Sequence, residues 1–197
     1  MAHTNQLEIP SFVRNDASRC YHCKTDLYGL FEPIKQNSGI NFVVDGTNLD
    51  DLGDDRPGLR AAREHAVRSP LVESGFTKAD VRSLAHHLRL SNWDKPAAAC
   101  LSSRVPRGLV ITEMNLRRVE QAERILKEEG FRQVRVRDHE GIARIEVAQQ
   151  EIERFFDEDR RQRITEGLKG LGFRWVTLDL VGYQVGGGNL GTKENIT

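Results

Sequence analysis

The stretch "RQVRVRDHEGIARIEV", residues 132–147, leaves few folds open to this chain. Apolar and charged residues alternate on both sides of "EG", the pattern of two half-buried strands joined by a tight turn. Val134 and Val136 are expected to face a core, with Arg135 and Arg137 on the opposite face. Ala143, Ile145 and Val147 face the same core, which leaves Arg144 and Glu146 opposite. If the two polar faces coincide, three guanidiniums and a carboxylate share one surface, and Arg forks match phosphate or carboxylate. A solvated face laced with cross-strand pairs is the bland reading of the same pattern.

The flanking sequence completes a unit. Residues 113–129 predict a helix stopped by Gly130, residues 149–170 a long charged helix, and "FRWVTLDLVGY" a last strand. The expectation for residues 109–183 is an α-β-β-α-β domain with an antiparallel sheet and helices on one face. Residues 184–197, "QVGGGNLGTKENIT", read as a flexible tail.

Residues 1–108 follow a different rhythm. A helix is expected from Ser18 to Gln36, capped by Ser18 and bent or ended by Pro33. "INFVV" (40–44) reads as a buried strand feeding the polar loop "DGTNLDDLGDDRPG". Helices follow at about 58–66 and in "TKADVRSLAHHLRL", where Thr77 and Asp80 form a capping box. Strand, loop and helices in this order indicate an open α/β sheet, whose ligands bind beyond the carboxyl ends of strands. "NWDKPAAACLSSRVPRG" (92–108) breaks the pattern and reads as a connecting loop and boundary.

Three cysteines cannot make a closed disulfide framework, and the N-terminus lacks a signal pattern. We therefore expect a cytoplasmic protein whose cysteines serve chemistry or metal. Lys and Arg total 29 and balance 29 Asp and Glu, so the composition argues against a non-specific nucleic-acid binder. No apolar run reaches membrane-spanning length. Cys20 and Cys23, in "RCYHCK", share one helix face at i and i+3, with Cys100 far downstream. Three readings stand: an incidental pair, zinc completed by His22, His86 or His87, or an iron–sulfur cluster with three thiolates and one open iron. "SSRVPRG" (102–108) could hold phosphate, or form a polar turn. Asp50, Asp51, Asp54 and Asp55 could hold Mg²⁺, or be solvated.

Six motifs occur in an order that resembles one family: "RCYHCK", "DGTNLDDLGDDRPG", "VRSPL", "WDKPAAACLSSRVPRG", "RQVRVRDHEGIARIEV" and "GFRWVTLDL". They are similar to those of the LarE-type sulfur transferases of the PP-loop ATP-pyrophosphatase superfamily. The resemblance covers about residues 15–182. It implies a Rossmann-like, adenine nucleotide alpha hydrolase-like domain over residues 1–108, incomplete here, and a substrate or oligomerisation domain over 109–183. It implies ATP with Mg²⁺, adenylylation of a carboxylate on a nicotinic-acid-derived pyridinium mononucleotide, and displacement of AMP by sulfur. The thiocarboxylate product leads to the nickel-pincer cofactor of lactate racemase.

The resemblance also implies roles. Ser103, Arg104, Arg135 and Arg137 resemble phosphate-contacting residues, and Glu123 and Glu146 resemble acidic residues tied to metal and activity. Members that sacrifice one cysteine carry it at the position of Ala99. Members with three cysteines are thought to use a cluster, which implies a [4Fe–4S] group on Cys20, Cys23 and Cys100 and an external sulfide source. The family's S-G-G-x-D-S loop has no match here, so a separate PP-loop chain is an expected partner, alongside a homo-oligomer. A PP-loop tRNA thiolase and a non-catalytic metal- or partner-binding remnant are the alternatives.

Overall fold

The computed structural model describes residues 3–53, 57–95 and 98–184. Asp54 and Asp55 of the acidic loop, Pro96 and Ala97 of the connecting loop, and the tail from Val185 lie outside the described residues. The protein is a mixed α/β molecule of two compact units, Met1–Ala97 and Ala98–Thr197. The division falls inside the 92–108 loop, because the 3-10 turn Leu101–Arg104 packs with the elements that follow it. No helix among the described residues is long and apolar enough to cross a membrane.

The second unit is built on the hairpin. Strands β1 (Val134–His139) and β2 (Ile142–Val147) pair antiparallel, with Arg135 opposite Glu146 and Arg137 opposite Arg144. Glu140 and Gly141 both have left-handed backbone, at φ 52° and 92°, the two-residue turn that matches strand twist. Asp138 braces the turn by accepting from Gly141 N at 2.9 Å.

Strand β3 (Trp175–Leu178) joins β2 in parallel, in the order β1-β2-β3. The sheet is therefore mixed, correcting the antiparallel expectation. The 13-residue helix between β2 and β3 carries the chain back along the sheet, and such a crossover delivers a parallel strand.

Two boundaries also differ from expectation. The charged segment 149–170 is a 3-10 stretch (Gln149–Phe156) followed by a separate α-helix (Glu158–Gly170), because extended Asp157 interrupts it and caps Arg160 N at 2.7 Å. The last strand is four residues long; beyond it the chain turns at Gly182, φ 76°, where an added Cβ would meet Val147 O at 2.8 Å. Only glycine accepts both that backbone and that approach.

One sheet face is apolar. Val134, Val136, Ala143, Ile145 and Val147 pack against Leu126 of the helix Glu113–Glu128 and against Ile164 and Leu168 of the helix Glu158–Gly170. Each fully buried aliphatic side chain contributes about 1.5–3 kcal/mol. The helix Glu113–Glu128 starts at a Thr112–Asn115 capping box and ends at Gly130.

The first unit is helical among its described residues, apart from one isolated parallel bridge, Val44 to Arg68. In chain order the molecule's α-helices are α1 (Pro10–Val13), α2 (Arg19–Asn37), α3 (Pro57–Glu64), α4 (Pro70–Glu73), α5 (Lys78–His87), α6 (Glu113–Glu128) and α7 (Glu158–Gly170). Helix α2 runs through Pro33 instead of stopping there. The carbonyl that a proline ring crowds belongs to residue i−4, here Gly29. Thr77 and Asp80 do form the capping box of α5.

The expected buried strand at 40–44 is not one. Ile40, Phe42 and Val44 are all more than half exposed, and among the described residues the strand-like backbone bonds there are those of Val43 O and Asp45 N with Arg68, at 3.0 and 2.9 Å, while Ile40 N returns to Lys35 O. A strand is buried by neighbours on both sides, and one bridge supplies neither a sheet nor a covered face.

Candidate functional site

The polar face of the three-stranded sheet holds the densest set of charges in the second unit. Residues that pair across strands share a face, so the register sets out rows. Arg135 and Glu146 form one row, Arg137, Arg144 and Thr177 the next, and His139, Ile142 and Trp175 the last.

The charges are buried and paired. Arg137 donates to both Glu146 oxygens, and its Nη1 reaches Ser103 O at 2.9 Å. Arg144 Nη2 donates to the same Glu146 carboxylate at 2.8 Å. Arg104 donates to both Glu123 oxygens, at 2.7 and 3.0 Å, while Val136 N donates to Glu123 at 3.2 Å. Glu123 and Glu146 are 4% and 2% exposed, so each carboxylate is desolvated and depends on its arginine. Arg135, 8% exposed, donates to Val134 O at 2.7 Å and lies 5.2 Å from the Tyr183 ring centre. Burial, and then the neighbouring Arg104 charge, hold its pKa below the usual arginine value. The turn at Gly182 sets the position of Tyr183, whose N donates to Val147 O at 2.7 Å.

The segment carrying Cys100 is tied to this network. Arg104 Nη1 donates to the Ala99 and Cys100 carbonyls at 2.7 and 2.9 Å, and Ser103 Oγ donates to Cys100 O at 2.7 Å. The Cys100 thiol is exposed. The structure thus gathers Cys100, Ser103, Arg104, Glu123, Arg135, Arg137 and Glu146 in one unit.

Cys20 and Cys23 lie in the other unit, on the first two turns of α2, exposed and half-buried. None of the three cysteines forms a disulfide. Among the described residues, no three His, Cys, Asp or Glu side chains are gathered as a metal site. His22 stacks edge-on against Tyr21, and His86 against Trp93. Asp50 and Asp51 serve the backbone: Asp50 accepts from Lys78 N at 2.7 Å, and Asp51 from Asn48 N at 3.2 Å.

Asp45, which no motif argument singled out, anchors the first unit's loop. It accepts from Ser69 Oγ at 2.8 Å, from Thr47 N and Oγ1 at 3.1 and 2.9 Å, and from Tyr28 OH at 3.3 Å. Burial pushes its carboxyl up, but the bonds from Ser69 and Thr47 outweigh that and hold it below the usual range. The Arg104–Glu123 pair was equally hidden in the sequence, since 19 residues separate its partners.

No protein-family model matches the chain. It is 43% identical to an uncharacterised protein of Synechocystis sp., over 94% of this chain and 69% of that protein. It is 42% identical to the pyridinium-3,5-bisthiocarboxylic acid mononucleotide synthase of Lactiplantibacillus plantarum, over 87% of this chain and 62% of the synthase. An uncharacterised protein of Methanocaldococcus jannaschii is 31% identical over 90% of this chain and 69% of its own length. The chain thus spans about two thirds of the length of these relatives. With such identity over nearly all of its residues, and the six motifs in order, the chain belongs to the LarE-type family.

Proposed function

We propose that this chain acts within an ATP-dependent sulfur transferase that turns carboxylates of a pyridinium mononucleotide into thiocarboxylates, on the route to the nickel-pincer cofactor of lactate racemase. The observation that carries the reading is the guanidinium cluster of Arg104, Arg135 and Arg137, joined through Ser103 and the Ala99–Cys100 carbonyls to the Cys100 segment. The likeness to the Lactiplantibacillus plantarum synthase supports it.

In this reading the first unit belongs to a Rossmann-like PP-loop domain. The parallel Val44–Arg68 bridge, followed by a polar loop held by Asp45, supports that assignment. ATP with Mg²⁺ is attacked at its α-phosphorus by a substrate carboxylate oxygen, and pyrophosphate leaves. Sulfide then attacks the acyl carbon, the C–O bond to AMP breaks, and a thiocarboxylate remains. Arg104, Arg135 and Arg137 receive the anionic substrate, with Ser103 at its phosphate. Glu123 and Glu146 hold the guanidiniums in fixed planes, so that little freedom is lost when the anion arrives. A second role for them is the metal site that the family resemblance implies.

The donor set of Cys20, Cys23 and Cys100 suits a [4Fe–4S] cluster, since thiolate is its usual ligand and two of the three share a helix face. Bound there, the cluster would supply a renewable sulfide, sparing the protein's own cysteines. The partners in this reading are the mononucleotide, a sulfide source, a PP-loop segment and further copies of the chain, in the cytoplasm.

The test is anaerobic incubation of the cluster-reconstituted chain with ATP, Mg²⁺, sulfide and pyridinium-3,5-dicarboxylate mononucleotide, with and without a relative's S-G-G-x-D-S segment. Oxygen-for-sulfur exchange, read by mass, is expected when that segment is present. Its absence with every component supplied overturns the proposal. About four irons per chain, lost in Cys20→Ala, Cys23→Ala and Cys100→Ala, supports the cluster; tight zinc without iron uptake refutes it.

A further inference from the structure

The Cys100 segment is held by its carbonyls. Cys100 O accepts from Ser103 N at 3.0 Å, from Ser103 Oγ at 2.7 Å and from Arg104 Nη1 at 2.9 Å. Ala99 O accepts from the same Nη1 at 2.7 Å, and Ser103 O from Arg137 Nη1 at 2.9 Å. The Cys100 side chain makes no cap bond to the 3-10 turn Leu101–Arg104 that it precedes, and it is exposed. The main chain is thus fixed around the cysteine, and rotation about its side-chain bond is the freedom left to the thiol.

Arg104 does not set that geometry by itself. A guanidinium is a rigid fork on a flexible stem, so it points where its other N–H groups are anchored. Here the anchor is Glu123, which accepts from Nε at 2.7 Å and from Nη2 at 3.0 Å. Glu123 is fixed in turn by Val136 N at 3.2 Å, on a strand residue that is fully buried. A chain of bonds therefore runs from β1, through Glu123 of α6 and Arg104, to the backbone of Ala99 and Cys100. All of it lies within the second unit.

Stability does not account for this arrangement. Arg104 and Glu123 are buried, and a buried ion pair is often no more stabilising than apolar side chains of the same volume. What apolar side chains cannot do is hold two carbonyls against a fixed donor. The Arg118–Asp138 pair offers a comparison, since its carboxylate braces the hairpin turn by accepting from Gly141 N. Each of these two carboxylates sets the geometry of one backbone turn, and the turn set by Glu123 carries a cysteine.

We propose that Glu123 is a positioning residue for Cys100: acting through Arg104, it fixes the Ala99–Cys100 backbone and so the place to which the thiol is delivered. This deepens the transferase reading and rests on it for what the thiol does there. A displacement of about 1 Å at a reacting group can cost about 100-fold in rate, so a clamp on the backbone is a means of keeping that rate.

The experiment uses the full chain carrying Cys20→Ser and Cys23→Ser, which leaves Cys100 as the one thiol, alkylated with bromotrifluoroacetone for fluorine NMR. A clamped backbone should give one narrow resonance. Glu123→Gln keeps the side chain's size and an acceptor for Val136 N, but loses the charge and one acceptor for Arg104, so the resonance should broaden or split. Arg104→Lys, whose compact ammonium cannot serve a carboxylate and two carbonyls as the fork does, should behave alike and stands in if Glu123→Gln does not fold. Ile164→Val, which trims the core on α7, should leave one narrow resonance. In the unlabelled three-cysteine chain supplied with the S-G-G-x-D-S segment, Glu123→Gln should lower kcat about 10- to 100-fold, a larger factor than any rise in KM. One narrow resonance in both clamp variants overturns the proposal, and so does equal broadening in Ile164→Val. A rise in KM with kcat intact would confine Glu123 to the anion seat, and recovery of kcat in excess Mg²⁺ with a narrow resonance would confine it to a metal; either overturns the proposal. Broadening in the clamp variants, with no thiocarboxylate from any form of the chain, would sink the transferase reading and leave the positioning standing. Thiocarboxylate formed at normal kcat by Glu123→Gln would do the reverse.

Discussion

Among the described residues, the second unit packs 12 buried side chains into one apolar cluster, contributed by β1, β2, α6, α7 and the phenylalanines Phe131, Phe155 and Phe173. The first unit's cluster is Tyr28, Ala61 and Ala62, flanked by half-buried Tyr21, Phe31, Val43 and Val67. Meanwhile Ile40, Phe42, Val44, Leu84, Leu88 and Leu90 of the first unit stand exposed. The contrast concerns closure more than composition. The hairpin makes its own neighbours within a few residues and offers one whole face to two helices. Among the described residues, the 40–45 segment meets one bridge partner, and of its apolar side chains Val43 alone packs against the first unit's cluster. Apolar surface left open this way marks an interaction face, and in the transferase reading the PP-loop segment covers it.

Hydrogen exchange gives the widest test of that contrast. The amides of Val136, held by the buried Glu123 carboxylate, and of Ile145, on the central strand over the core, should be protected by orders of magnitude more than that of Phe42. Equal protection would show that the first unit is as firmly closed as the second. Adding the PP-loop segment should raise protection at 40–45 if that segment is what covers it.

Breaking a buried charge pair comes next in size. Glu123→Ala leaves the Arg104 guanidinium, 3% exposed, without its carboxylate and should cost about 3–5 kcal/mol in denaturant unfolding. An Arg68→Ala change in the first unit removes an exposed pair with Glu73, which water screens, and should leave the unfolding midpoint nearly unchanged. Comparable losses would erase the distinction between buried and solvated pairs.

Apolar truncations probe the cores directly. Ile145→Ala, at a site 1% exposed, should cost about 2–5 kcal/mol. Leu84→Ala, at a site 42% exposed, should stay within about 0.5 kcal/mol. A large loss at Leu84 would place it in a core formed in solution.

The smallest effects are in pH. His139 has its pKa lowered by burial first, then by Arg144 and Arg137, while Asp138 and Glu146 oppose the shift. A folded pKa below the unfolded value of about 6.5 means the unfolded chain binds the extra proton. His139 therefore contributes stability fully above about pH 6.5, and that stability is lost as pH falls through the folded value. Asp45 obeys the same sign lower down: its contribution is complete above about pH 3.9 and is lost as pH falls through its depressed folded value. His139→Phe should flatten the first step and Asp45→Asn the second, read in unfolding midpoints against pH.

The sequence was enough wherever the determining forces are local. Alternation around "EG" set the hairpin, its register and the shared face of Arg135, Arg137, Arg144 and Glu146, because side-chain direction in a strand follows from parity. The Thr77–Asp80 cap and the Gly130 stop were legible for the same reason: each acts within one turn of its own helix. The ordered motifs were enough to identify the family, since motif order survives in the chain itself. What tertiary structure alone decided depends on who the neighbours are. It set β3 parallel to β2, broke the 149–170 helix at Asp157 and left "INFVV" exposed. It buried Arg137 instead of leaving it solvated, and chose Glu123, 19 residues away, as the partner of Arg104. An apolar pattern states only that a side chain prefers to leave water. Whether it does depends on a surface supplied from elsewhere in the fold, and the desolvation that fixes a buried arginine to one carboxylate exists only once that surface has closed.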